Sequence, residues 1–180
     1  MYKISKYGIT LKRLEANEIE LVRTWRNSSS IAEQMEFREF IHAEQQVLWF
    51  NQLKESNVAY YYVIYVTGKP IGLVHLNLID FGAKSAHAGL FIGNVDFIGT
   101  GAVLGASLLI LQFAFFELNL ETIFAKVRNV NTPAIEYNQI LGFALLLKHN
   151  EQFNMYELSK DRFIEKQSYL EHLVLMVTQS

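Results

Sequence analysis

The stretch Ile71–Gly93, IGLVHLNLIDFGAKSAHAGLFIG, decides the fold. Its apolar residues recur with a period of two, the repeat of a strand with one face turned to a core. A turn at Asp80-Phe81-Gly82-Ala83-Lys84, with glycine taking a positive φ, folds the stretch into a hairpin. If Asp80 faces Lys84, Val74 falls opposite Leu90, Leu76 opposite Ala88 and Leu78 opposite Ala86, an apolar face throughout. His75, Asn77 and His87 lie on the other face. A slip of one residue would destroy both patterns, so the alternation itself supports this register.

Downstream, Gly99-Thr100-Gly101 runs into the apolar stretch from Ala102 to Phe116, which predicts a buried helix ending near Leu118 and Asn119. A strand over Glu121–Val127 follows. Asn131-Thr132-Pro133-Ala134 then opens a helix, with Asn131 as cap and proline in the first turn, and Leu141-Gly142 closes it. Strands at Phe143–Lys148 and Met155–Ser159 precede a C-terminal helix over about residues 161–177. Upstream, a strand at Ile9–Leu14 leads to a helix capped by Asn17, with Glu20 three residues on. A second helix spans Ala43–Lys54, and a strand at Ala59–Val66 turns through Gly68-Lys69-Pro70 into the central stretch. Strands and helices alternate but the hairpin breaks a parallel order, so the expected fold is a mixed α/β sheet flanked by helices. No stretch has the composition of a linker, and residues 1–180 are expected to form one domain.

Composition narrows the chemistry. Hydrophobic residues make up 51% of the 180 and charged ones 19%, enough for a core without metal or disulfide. Sixteen basic against eighteen acidic residues leave a net charge of -2, so no positive field invites nucleic acid or anionic lipid. The absence of cysteine removes disulfide frameworks, thiolate zinc sites and cysteine nucleophiles. His149 and His172 lack partners at ligand spacing, so no metal site is expected. The N-terminus has no apolar core of a secretory signal, and Gly105, Ser107 and Gln112 interrupt the longest apolar run. A cytoplasmic, membrane-free location is therefore expected. The apolar stripe of the C-terminal helix (Phe163, Leu170, Val174) is expected to pack on the domain or on a second subunit, as in a homodimer.

The turn at Gly99-Thr100-Gly101 has a direct physical use. Glycine lets the backbone take unusual conformations and lets a ligand approach, and the first turn of the following helix aims unpaired N–H groups at an anion. No Gly-Lys-Ser/Thr follows, and Leu104 stands where a dinucleotide fingerprint has its third glycine. Nucleotide hydrolysis and nicotinamide binding are not supported.

Several segments in fixed order carry a family resemblance: Leu11-Lys12-Arg13-Leu14, Trp25-Arg26-Asn27, Pro70-Ile71-Gly72, Gly99-Thr100-Gly101-Ala102, and Asn131 with Ala134, Leu141, Gly142 and Phe143. In these the chain resembles the Gcn5-related N-acetyltransferase superfamily, near the branch of ribosomal-protein and amino-sugar-nucleotide N-acetyltransferases. The resemblance implies acetyl-CoA as co-substrate, lying where the strands Lys84–Gly93 and Glu121–Val127 splay apart. It places the pantetheine arm against the backbone of Phe91 and Ile92 and beside Asn131, and the pyrophosphate on the amides of Gly99, Thr100, Gly101, Ala102 and Val103. It also implies a small-molecule amine acceptor, here a nucleotide-linked amino sugar, with a protein N-terminus or polyamine, or a non-catalytic coenzyme-binding module, as alternatives.

An amine attacking a thioester must first lose a proton, and histidine suits that work near neutrality. His87 is the first candidate base, at a position where relatives carry a catalytic Glu or His, and His75 the second. Asn138 stands where many members carry an acidic tyrosine, and Tyr137, one residue earlier, reads as core. Residues Ile31–His42, mixing Glu36, Arg38 and Glu39 with Phe37 and Phe40, are expected to shape the acceptor site.

Overall fold

The hairpin forms from Lys69–Asp80 and Ser85–Ile92, with Val74 opposite Leu90, Leu76 opposite Ala88 and Asn77 opposite His87, as the alternation requires. Past Asn77 the register shifts, and Asp80 pairs with Ser85. The expected pair Leu78–Ala86 is therefore corrected: Leu78 bulges out at φ 49° and is 67% exposed, and Ile79 takes the core position. The turn explains the change. One Asp80 carboxylate oxygen accepts from the N–H groups of both Gly82 and Ala83, at 2.8 Å each, which fixes the turn without a left-handed glycine. Lys84, not Gly82, takes the positive φ, and the extra residue is absorbed as a bulge at Leu78.

The computed structural model describes residues 2–178, with side chains to Met176, so Met1, Gln179, Ser180 and the side chains of Val177 and Thr178 lie outside the described residues. In chain order the elements are β1 (Lys3–Lys6), β2 (Ile9–Arg13), α1 (Ile19–Asn27), α2 (Ser29–Ala32), α3 (Ala43–Glu55) and β3 (Tyr60–Val66). The hairpin strands are β4 and β5; α4 (Gly101–Gln112), β6 (Thr122–Arg128), α5 (Thr132–Leu141), β7 (Ala144–Lys148), β8 (Phe153–Ser159) and α6 (Lys160–Thr178) complete the chain. All eight strands join one sheet in the order β1-β2-β3-β4-β5-β6-β8-β7. Every neighbouring pair is antiparallel except β5 with β6.

Helices cover both faces. On one, α4 and α6 bury Leu108, Leu111, Phe163 and Leu170 against Leu11, Ile64, Leu76 and Ile123. On the other, α1 and α3 bury Val22, Phe50 and Leu53 against Val63, Leu73 and Phe91. The long helix behaves as its all-round apolarity predicts, and it ends in a wider π turn over Phe113–Glu117. Helix α5 is capped as expected: Asn131 Oδ1 accepts from the Ala134 N–H at 3.2 Å, and Gly142 closes the helix at φ 104°. The cap of α1 moves from Asn17 to Glu18. Glu18 is buried because it accepts from the Tyr65 hydroxyl and the Glu15 N–H and pairs with Lys12, so tertiary partners outweigh the local capping preference of asparagine. β1 escaped the sequence reading, since it is polar and mostly exposed. Among the described residues no helix is long and apolar enough to cross a membrane.

The bulge makes neighbouring leucines unequal. Leu76→Ala, which empties a fully buried site, should cost about 2–5 kcal/mol, whereas Leu78→Ala should change stability by no more than about 0.5 kcal/mol. Urea denaturation of the two variants measures the difference, and equal losses would restore the unbulged register.

Candidate functional site

β5 and β6 pair over three positions only, Ser85 with Thr122, Ala86 with Ile123 and His87 with Phe124. Beyond them β5 stays paired to β4 as far as Ile92 and β6 to β8 as far as Arg128, so the two strands part and the sheet opens. Ladder alternation tells which main-chain groups face the opening. The Gly93 N–H donates to the Ile71 carbonyl at 2.9 Å, which turns Gly93, Phe91 and Gly89 toward β4. The Lys84 carbonyl accepts from the Glu121 N–H at 2.7 Å, which turns the even-numbered residues toward β6. Leu90 and Ile92 therefore present their N–H and C=O groups to the gap. The Ile92 main chain faces the opening, whereas the Phe91 main chain serves β4 and its ring is buried against α1 and α3, so Leu90 faces the opening where Phe91 was expected to.

The first turn of α4 adjoins this opening. Gly99 is left-handed at φ 76°, whereas Gly101 is not; its place is inside the helix. The Thr100 N–H and hydroxyl both donate to the Phe97 carbonyl, at 3.2 and 2.8 Å, and the Val103 N–H reaches the Thr100 carbonyl at 3.2 Å. Of the five amides expected to hold an anion, those of Gly99, Gly101 and Ala102 have no acceptor among the described residues; those of Thr100 and Val103 are engaged. Asn131 keeps its side-chain NH₂ as a free donor. Asn138 spends one N–H on the Ala134 carbonyl at 2.8 Å, which lays its side chain along α5. The Tyr137 hydroxyl donates to the Val103 carbonyl at 3.0 Å and lies 2.6 Å from the Ser107 hydroxyl. Burial raises its pKa, so Tyr137 braces α5 on α4 in its neutral form.

The opposite face of the gap carries the histidines, in unlike settings. His87 sits half-buried at the vertex where the strands part, its ring 5.5 Å from that of Phe124. Burial, then the charge of Lys126 and His149, lowers its pKa. His75 is half-buried and tightly packed: it stacks on Tyr61 at 4.7 Å and 10° and lies against Gly89, where a Cβ would collide with the imidazole. Burial, reinforced by Arg26 and His87, lowers its pKa to about 4. Tyr61 also meets Trp49 edge-on at 5.1 Å and accepts from Asn77 Nδ2 at 3.3 Å. The structure thus places His87 at the opening and His75 in the layer beneath it.

Four polar side chains complete this face, Tyr61, Arg26, Lys126 and Arg128; of these the sequence singles out Arg26 alone, in the segment Trp25-Arg26-Asn27 and without a site role. For the last two the signal was available, since they alternate with the buried Ile123, Ala125 and Val127 on β6. Arg26 Nη2 donates to the Phe37 carbonyl at 3.3 Å and Arg128 Nη1 to the Glu33 carbonyl, while Arg26 Nη1 and Arg128 Nε are buried without a partner among the described residues. No group of three metal-binding side chains occurs among the described residues.

Comparison with known proteins bears on the family and the fold. Residues 9–144 match the family model described as an acetyltransferase (GNAT) domain. Acetyltransferase PseH of Campylobacter jejuni (subsp. jejuni serotype O:23/36, strain 81-176) is 25% identical over 148 residues, covering 82% of this chain and 84% of that protein. Among solved structures, FdhC, described as a nucleotide-linked sugar GNAT, superposes with a TM-score of 0.80 at 19% identity, over 96% of this chain and 98% of that one. Spermidine N-acetyltransferase from Vibrio cholerae, in complex with CoA and spermine, gives 0.76 at 19% identity, over 88% and 99%. At these identities the structural likeness is one of fold.

The stacked histidine has a consequence for acid stability. Its folded-state pKa lies below the unfolded value of 6.5, so the unfolded chain binds the extra proton and the neutral stack stabilises the fold fully only above that value. The contribution is lost as pH falls from 6.5 through about 4. His75→Phe should retain stacking and flatten the decline by about 3 kcal/mol, read from urea denaturation at pH 7 and pH 4. A decline as steep as that of the parent would place the titration elsewhere.

Proposed function

The chain belongs to the GNAT acetyltransferases and is an N-acetyltransferase that takes its acetyl group from acetyl-CoA, and on that premise we propose that its acceptor is the primary amine of a nucleotide-linked amino sugar. The bound thioester supplies an activated acyl carbon. In this proposal the open amides of Gly99, Gly101 and Ala102, with the positive end of α4, hold the coenzyme's diphosphate. Thr100 and Val103 shape that turn through their own hydrogen bonds. Leu90 and Ile92 offer strand-like pairing to the amide arm, and Asn131 adds its NH₂.

His87 acts as the base. An alkylammonium has no lone pair for attack, and an imidazole whose pKa is lowered by burial is mostly neutral near pH 7 and ready to take the proton. His75, stacked beneath Tyr61, positions that ring. Asn138 retains one N–H to donate to a departing thiolate but has no proton to surrender, so this position supplies no general acid.

The acceptor choice rests on one observation: Arg26 Nη1 and Arg128 Nε are buried donors of guanidinium groups without a partner among the described residues. A buried cationic donor left unpaired is costly, and an anionic group on the acceptor relieves the cost. A nucleotide-linked sugar brings a diphosphate; a polyamine brings more positive charge.

His87→Ala should lower kcat/KM by about 10²–10⁴-fold, and in the parent enzyme the acid limb of kcat/KM should fall below the free imidazole value of about 6.5. An unchanged rate across pH would remove His87 as base. Arg26→Gln or Arg128→Gln should raise the acceptor KM about 10- to 100-fold and leave that for acetyl-CoA unchanged. A panel of UDP-linked amino sugars, spermidine and N-terminal peptides, followed by thiol release, decides the acceptor. Preference for spermidine or a peptide would overturn the choice, and coenzyme binding without turnover on any amine would leave a binding module.

A further inference from the structure

Residues 33–40 cross the opening on the His87 face, and their fastenings differ at the two ends. Before them, Ile31 is anchored by burial in the α1/α3 core. After them, Ile41 is pinned to α1: Asn27 Oδ1 accepts from its N–H at 2.8 Å, and Asn27 Nδ2 and Arg23 Nη1 donate to its carbonyl at 2.9 Å each. Between these fixed points, contacts with the far side of the opening are all polar. Lys126 pairs with Glu36 at 2.7 Å, Arg128 donates to the Glu33 carbonyl, and Arg38 reaches Gln152 at 3.5 Å. Met35 packs against the α1/α3 core, whereas Phe37 and Phe40, 48% and 59% exposed, leave the rest of the segment without a hydrophobic anchor.

We propose that residues 33–40 form a strap hinged at Ile31 and Ile41 and latched to β6 by the Glu36–Lys126 pair, which opens to admit the acceptor and closes over its anionic group. The second half of this statement rests on the acceptor proposed above; the latch does not. An exposed ion pair holds only weakly and is screened by salt, so the strap is released at little cost. The same two guanidiniums that hold the strap's carbonyls keep a buried donor for the acceptor's anion. Closure and anion capture thereby share their donors, and a bound anion stiffens the arginines that fasten the strap.

Trypsin reads the strap directly, because Arg38 lies within it. In the free full-length protein, Glu36→Gln should speed cleavage after Arg38 about two- to fivefold, the range expected for one exposed ion pair, and raise the acceptor KM by a similar factor without changing that for acetyl-CoA. The charge-swapped double variant Glu36→Lys, Lys126→Glu should return cleavage toward the parental rate, and UDP should slow it in the parent. Cleavage of Glu36→Gln at the parental rate, or a double variant cut as fast as the single one, would overturn the latch. If Glu36→Gln loosens the strap but UDP gives no protection, the latch stands, and closure over an anion falls together with the proposed acceptor.

Discussion

The structure depends on a mismatch between neighbours in the sheet. β5 is held to β4 along its whole length and β6 to β8 along its own, yet the two are held to each other over three residue pairs alone. Each strand is thus complete on its outer edge and open on its inner one. Strand backbone with unpaired N–H and C=O groups inside a sheet is costly unless something pairs with it, and an extended chain carrying amides is the natural occupant. The gap is stable because seven antiparallel pairs hold β5 to β4 and seven hold β6 to β8, and α4 and α6 bury one face of the sheet.

That opening also orders the surrounding chemistry. Helix α4 is buried on every side, so its first turn cannot drift, and its free amides stay where the opening ends. Tyr137 ties α5 to the same turn through the Val103 carbonyl. On the other face the vertex places His87 at the last point where both strands meet. The histidine beneath it illustrates how position decides basicity: two imidazoles on one sheet face, one stacked between Tyr61 and Gly89, the other at the vertex, differ in their capacity to take a proton.

The two faces of the gap differ in charge logic. The α4 side offers main-chain amides and a helix end, suited to a diphosphate that is held without specific side chains. The α1 side offers Arg26, Lys126 and Arg128, which reach across from different elements and are tied to a polar crossing segment. A histidine between two such regions is held in its neutral form, since burial first, and then the charge of Lys126 and His149, raise the cost of protonating it.

Much of this was legible in the sequence because the signals are local. Alternation over Ile71–Gly93 gave the hairpin partners from Val74 to Asn77, Asn131 and Gly142 marked both ends of α5, and the glycine turn before an apolar run marked the open amides at Gly101 and Ala102. What stayed hidden depends on which of several partners wins a polar group, near in the chain or distant. Asp80 capturing two amides displaced Leu78 by one position, Tyr65 and Lys12 drew Glu18 into the cap of α1, and ladder direction exchanged Phe91 for Leu90. Arg26 and Arg128 lie about a hundred residues apart in sequence, and only the fold brings both to one crossing segment. The sequence by itself determined where the apolar strands and the longer helices lie, since period and capping act within a few residues. The tertiary structure alone decided which main-chain groups remain unpaired and which cations converge, because both depend on where separate strands end relative to one another.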